Sequence, residues 1–334
     1  MSIRFAINGV GRIGRALIRV ASQRPRLELV AINDQASPEQ LAPLLDRDSL
    51  HGRFPGQITL TEGKLAINGK DIAVFQEPDP EEIPWLDLAP TLVVDATGGA
   101  KTRTAASRHR RGSVDKVVVS ANAEDLDLTL CLGVNNGNYD PESHRLISAA
   151  SCTTNCLAPM VFVLHREFGL EHGIFNTVHS YNNDQRLLSY PHTDPRRARA
   201  AALNMIPTTT SASQAVHRVL PGFAGKLDGF AVRVPTPNVS LVDLVVTLSG
   251  KPTVTEINDA FTRASTGDLS GILAVAHEEL VSSDYLGDPH SAIVDLPLTT
   301  AVDQRLYRVV AWYDNEWGHA SRLADLVELI GEAS

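Results

Sequence analysis

Residues 3–15 read IRFAINGVGRIGR, and their reading decides the fold. An apolar run, 3–9, enters Asn8-Gly9-Val10-Gly11-Arg12-Ile13-Gly14, and an amphipathic helical pattern follows over 11–22. This is G-x-G-x-x-G between a strand and a helix. The glycines allow a tight turn and close approach of a pyrophosphate, which then sits at the positive end of the helix. Alone the motif is weak. A second strand, LELVAIND (27–34), ends on Asp34, 20 residues after Gly14, where an acidic side chain can accept from a ribose 2′-hydroxyl and would repel a 2′-phosphate. The pair predicts a dinucleotide site that takes NAD rather than NADP.

Outward from this unit the first half alternates strands and helices. TLVVDATG (91–98), KVVVSA (116–121) and LTLCLGV (128–134) read as further strands, and 100–111 as a helix. Near-continuous apolar strands suit a parallel sheet covered on both faces. Residues 49–76 break the pattern with two short alternating runs around Asn68-Gly69, a hairpin insertion. RHRRG, 108–112, reads as a solvated helix end. After about residue 150 the texture changes. A helix is expected from 153 to 168, longer strands at 229–237, 239–248 and 305–314, and an amphipathic helix over 315–330. The strand spacing suits a mostly antiparallel sheet. Between them 181–210 is long, polar and rich in Arg and Pro, and a loop of that length in a compact domain is usually functional. The expected architecture is α/β: a Rossmann NAD-binding domain over 1–150, completed by the C-terminal helix 315–334, and an α+β catalytic domain over 151–314.

Composition narrows the function. The 334 residues are 43% hydrophobic and 21% charged, with a net charge of −9, which speaks against nucleic acid as the main partner. No run reaches the ~18 apolar residues of a membrane helix, and the N-terminus lacks a signal peptide's apolar core. Three cysteines are too few for a disulfide framework and point to a reducing, cytoplasmic compartment.

Two of those cysteines lie in SAASCTTNCLAP, 148–159. Cys152 precedes a helix, where the dipole and free N–H groups favour a thiolate. A nearby histidine could lower its pKa further and shuttle protons. Cys156 is one helical turn on, yet no other Cys or His cluster supplies two more ligands, so no metal is expected. Position alone leaves a nucleophile and a core thiol both open. Likewise His179, mid-run in FNTVHSY, reads alone as a structural histidine, and Arg233, a charge inside an apolar strand, as half of an ion pair.

The segments INGVGRIGR, AIND, HGRFPG, SAASCTTNCLAP, TVHSYNNDQR, RRARAAALNMIPTTT, GFAVRVPTPNVSLVDLVV, LVSSDYLGDPHSAIVD and WYDNEWG resemble the phosphorylating glyceraldehyde-3-phosphate dehydrogenases over essentially the whole chain. The resemblance implies that Cys152 attacks an aldehyde, that His179 takes its proton, that hydride passes to NAD, and that inorganic phosphate cleaves the resulting thioester. It implies phosphate ligands at Ser151, Thr153, Asn182, Thr210, Ser211 and Arg233. It implies cofactor contacts at Asn8, Gly9, Gly11, Arg12, Ile13, Gly14, Asp34, Thr97, Gly98, Ser120 and Asn315, the last also a candidate helix N-cap. It further implies a homotetramer in which 181–210 reaches a neighbour's cofactor. The chain departs from the family pattern at Asn182, where Thr is usual, and at Ser211 and Gln214, which replace Gly and Lys. His319 and Pro78 also depart. The departures leave the aldehyde and the oxyanion open: arsenate beside phosphate, erythrose 4-phosphate as another substrate. A thiol redox sensor that kept the fold is the non-enzymatic alternative.

Overall fold

The computed structural model describes residues 2–333, which divide into two compact units. Among the described residues the first unit comprises 2–130, 136–151 and 319–333, and the second 131–135 and 152–318.

The first unit is built on a nine-stranded sheet. Ile3–Asn8 lies between Leu27–Asn33 and Leu92–Asp95, parallel to both, and Lys116–Val119 and Leu146–Ser148 extend it on the far side. These strands are apolar and buried almost throughout, as a sheet covered on both faces requires. The helix Arg12–Ala21 leaves the first strand and buries Leu17, Ile18, Val20 and Ala21. The expected hairpin forms where Lys64–Ile67 and Lys70–Phe75 pair antiparallel about Asn68-Gly69, and Ile58–Thr61 adds a third strand. Asn68 and Gly69 both take positive φ (51° and 76°), the requirement of a two-residue hairpin turn.

Three expectations in this half need correction. The strand expected over 128–134 is only Leu128–Thr129. Gly133 turns back at φ 81°, and the Asn135 side chain accepts from the Cys131 amide, so 131–135 is a turn belonging to the second unit. The helix expected over 100–111 is a short Arg103–Ser107, capped by the Thr102 hydroxyl. RHRRG is solvated only in part: Arg110, Arg111 and Gly112 are exposed, but His109 is fully buried and Arg108 binds Asp79 and Glu81.

The second unit centres on a mixed eight-stranded sheet. Leu170–Ser180 pairs parallel with Leu227–Val234 and antiparallel with Ser240–Leu248, which pairs antiparallel with Leu306–Tyr313. Antiparallel pairs dominate, as the strand spacing suggested. The helix Cys152–Phe168 is buried from Thr153 to Val161 and again at Val163 and Leu164. It belongs to an apolar cluster with Phe175, Val216, Leu244, Phe261 and Val309. No described helix is long and apolar enough to cross a membrane.

Candidate active site

In the first unit the glycine-rich turn has the shape a pyrophosphate needs. Gly9 holds φ 94°, and a side chain there would strike the Thr97 amide at 2.7 Å. A Cβ on Gly14 would meet the Gly9 carbonyl at 2.1 Å, so the helix packs against the turn with no room to spare. At Gly11 the reverse holds: nothing lies within 4 Å of the added carbon, and the helix start has no side-chain cap. The residue whose side chain would block the helix terminus is therefore absent. A cleft of about 420 Å³ opens beside the turn, lined by Asn8, Gly9, Asp34, Pro78, Thr97 and Arg108 among others. Its size and lining fit a nucleoside. Asp34 Oδ2 accepts from the Val10 amide at 2.7 Å and Oδ1 from the Ala36 amide at 2.9 Å, which fixes the carboxylate against the turn.

The turn rests on a buried polar network that sequence reasoning missed. Asn8 Nδ2 donates to Asp95 Oδ2 (2.8 Å), and Asn8 Oδ1 accepts from Asn33 Nδ2 (2.8 Å). Thr97 donates its hydroxyl to Asp95 Oδ1 (2.7 Å), and His109 Nε2 lies 3.0 Å from Asp95 Oδ2. Burial alone would raise the Asp95 carboxyl, but His109, Thr97 and Asn8 together hold it below its ordinary value. Asn8 and Thr97 thus shape the turn through Asp95. Gly98, at φ 75°, follows in the same turn. Arg12, beside Ile13 at the helix start, pairs with Asp48 at 2.5 Å. The Ser120 carbonyl accepts from His319 Nε2 at 3.0 Å.

In the second unit Cys152 is the first residue of its helix and only partly exposed. Its Sγ lies 3.5 Å from His179 Nε2. Burial pushes the thiol up, against the pull of Arg233 and the Thr153 amide. Cys156, deeper in the core, is pushed well above its ordinary value by burial and by the other two thiols. Only Cys152 therefore has both access and a basic neighbour.

Strand register brings the other charge in. His179 and Arg233 are direct partners in the parallel ladder of Leu170–Ser180 with Leu227–Val234. Arg233 Nη1 reaches His179 Nδ1 (2.6 Å), the Ser180 carbonyl (2.9 Å) and Asn182 Oδ1 (2.7 Å). His179 Nδ1 also lies 2.7 Å from the Ser180 carbonyl. Desolvation, then the Arg233 charge, lowers His179 to about 3. The resting pair is consequently a thiol and a neutral imidazole. With the Nδ1 proton given to the Ser180 carbonyl, Nε2 is a bare base aimed at Cys152, and the approach of Arg233 Nη1 to Nδ1 is then a contact between two donors rather than a hydrogen bond.

The remaining predicted residues divide. Thr153 is buried with its hydroxyl on Tyr313 Oη (2.9 Å), which also meets Thr177 (2.9 Å). Tyr313 packs edge-on against the His179 ring at 6.0 Å, a support the sequence did not signal. Ser151 immediately precedes the Cys152 helix. Thr210 and Ser211 sit together at the start of the helix Ala212–Val219, where the Thr210 hydroxyl accepts from the Ala212 amide, and Gln214 is exposed on that helix. Asn315 is not the cap of the last helix. Asp314 takes that part, its Oδ1 accepting from the Glu316 and Trp317 amides. Asn315 Oδ1 instead accepts from Ser180 and Ser240 (2.9 Å each), leaving its Nδ2 without an acceptor among the described residues.

Comparison with known proteins agrees with these two constructions. Residues 3–103 match the family model described as glyceraldehyde 3-phosphate dehydrogenase, NAD binding domain, and residues 151–315 match the corresponding C-terminal domain. The chain is 48% identical to a glyceraldehyde-3-phosphate dehydrogenase of Geobacillus stearothermophilus over 330 residues, 99% of this chain and 98% of that protein. It is 46% identical to glyceraldehyde-3-phosphate dehydrogenase 1 of Bacillus subtilis over 332 residues, 99% of each. The Streptomyces coelicolor protein of the same name is 46% identical over 333 residues, again 99% of each.

Proposed function

Since the chain belongs to the glyceraldehyde 3-phosphate dehydrogenase family, we propose that it oxidises glyceraldehyde 3-phosphate to 1,3-bisphosphoglycerate with NAD and inorganic phosphate. The observation that carries this reading is the Cys152 sulfur at a helix start, 3.5 Å from His179 Nε2. The nucleotide is assigned to 1–150 with 315–334, and the chemistry to 151–314.

Bound NAD supplies the hydride acceptor, and the glycine turn, Asp34 and the cleft beside them fit its pyrophosphate and adenosine half. The chain's own residues do the rest. The Cys152 sulfur attacks the aldehyde carbon, forming a C–S bond, while its proton moves to His179 Nε2. Amides at the helix start steady the oxygen's developing charge. His179 returns that proton to the oxygen, giving a thiohemiacetal hydroxyl, and takes it back as the hydride leaves, so that the carbon becomes a thioester on Cys152. A phosphate oxygen attacks that carbon, the C–S bond breaks, and the acyl phosphate departs. Arg233, Thr210 and Ser211 supply the polar groups for the anions, with Asn182 against Arg233 and Ser151 and Thr153 beside the nucleophile. Asn315 offers its unengaged Nδ2 to an amide oxygen.

The three cysteines form no disulfide, which suits a cytoplasmic enzyme, and a homotetramer is part of this proposal. The test is NADH formation with purified protein, NAD, phosphate and glyceraldehyde 3-phosphate. Erythrose 4-phosphate replaces the aldehyde in one arm and arsenate the phosphate in another. Absence of NADH formation in every arm would leave the thiol-sensor reading in its place.

A further inference from the structure

All three contacts of Arg233 converge on one nitrogen, and one of them comes from Asn182, one of the positions at which this chain departs from the family pattern. A guanidinium only donates, so the Asn182 atom 2.7 Å from Nη1 is its carbonyl oxygen. That oxygen has the distance and the chemical role of an anion's oxygen. Arg233 Nε and Nη2 make no hydrogen bond among the described residues, so the guanidinium still offers donors, but one fewer. Asn182 is exposed, so its amide has room to turn. To use Nη1 an anion must displace the carbonyl, and until the amide turns over it meets a partial negative charge beside the guanidinium. Threonine is shorter and carries a hydroxyl that donates; alanine carries neither group.

We infer that Asn182 is a specificity-determining residue: its carbonyl competes with the substrate's phosphate for Arg233 and lowers the preference for phosphorylated over unphosphorylated aldehydes. This rests on the reading of Arg233 as an anion ligand. The bond from Arg233 to the Asn182 carbonyl has one charged partner, whereas the bond to a phosphate oxygen has two and can be bidentate. Freeing the donor should therefore be worth about tenfold, or about 1.4 kcal/mol.

The experiment compares wild type with N182T, N182A and R233K in two measurements. One is the ratio of kcat/KM for glyceraldehyde 3-phosphate to that for glyceraldehyde. The other is the concentration of glycerol 3-phosphate that half-protects Cys152 from iodoacetamide, which needs no turnover. In N182T and N182A the ratio should rise about tenfold and the protecting concentration should fall. In R233K the ratio should fall, because a lysine cannot reproduce the planar fork. An unchanged or lower ratio in both Asn182 variants, with R233K still reducing it, overturns the inference and leaves Arg233 as the ligand. An unchanged ratio in R233K overturns the reading of Arg233 and the inference with it.

Discussion

Replacing His179 with Asn should remove a pH-dependent weakness from the fold as well as a base from the site. His179 is 4% exposed and lies 2.6 Å from a guanidinium, and its pKa falls from 6.5 to about 3. Between these values the unfolded chain binds a proton that the folded chain refuses. Stability from this residue is therefore complete above about pH 6.5 and is lost as pH falls toward 3. At pH 5 the loss is about 2 kcal/mol, from 1.36 kcal/mol for each pH unit below 6.5. Unfolding entropy is about 2.1 cal/mol/K per residue, or roughly 0.7 kcal/mol/K for 334 residues, so the loss corresponds to about 3 °C in Tm. Asn is uncharged, can accept from Arg233 and donate to the Ser180 carbonyl, and does not titrate. The assay is calorimetric Tm of wild type and H179N at pH 8 and pH 5. Other titrating groups are common to both proteins and cancel. The wild type should lose about 3 °C more than the variant over that interval. Equal losses would mean that His179 is protonated in the fold at pH 5, and the account of its contacts with Arg233 would be wrong.

The same H179N variant should turn over roughly 10²–10⁴ more slowly, the usual size of general acid–base help, as measured by initial NADH formation. C152S should abolish NADH formation while C156S retains most of it, since only Cys152 faces His179; a dead C156S and an active C152S would reverse the assignment. Replacing Asp34 with Gly should reduce the preference for NAD over NADP in kcat/KM, because the carboxylate bonded to Val10 and Ala36 would repel a 2′-phosphate. L164A, in the core face of the Cys152 helix, should cost about 2–5 kcal/mol by denaturant titration.

The strands of both sheets were legible where apolar runs were long, as in Ile3–Asn8 and Ser240–Leu248. Three helices, Pro38–Asp46, Ala212–Val219 and Val254–Thr266, were overlooked, two of them despite readable starts. Ser37 and Gln40 form a capping box before Pro38–Asp46, and Thr253 and Glu256 form another before Val254–Thr266. The 131–135 turn was obscured by an apolar run that periodicity cannot separate from a strand. At the site, local patterns exposed Cys152, the glycine turn and the anomalous Arg233. What they could not expose is pairing at a distance. His179 meets Arg233 through strand register 54 residues apart, and Asp95 meets His109 and Asn8 only after the sheet forms. Buried polar partners of this kind leave no periodic trace.

The nucleophile and its base stand on the buried helix and the central strand of the second unit, whereas Asn182, Thr210 and Ser211 occupy connecting segments at their edges. Inheritance can therefore act on the two separately. A mutation that moves Cys152 must also rebuild a core cluster reaching from Leu157 to Tyr313, and selection will remove most such changes. A mutation at the edge positions alters which anion is welcomed and leaves that core intact. Descendants of this gene should diversify first in what they oxidise and last in how they do it.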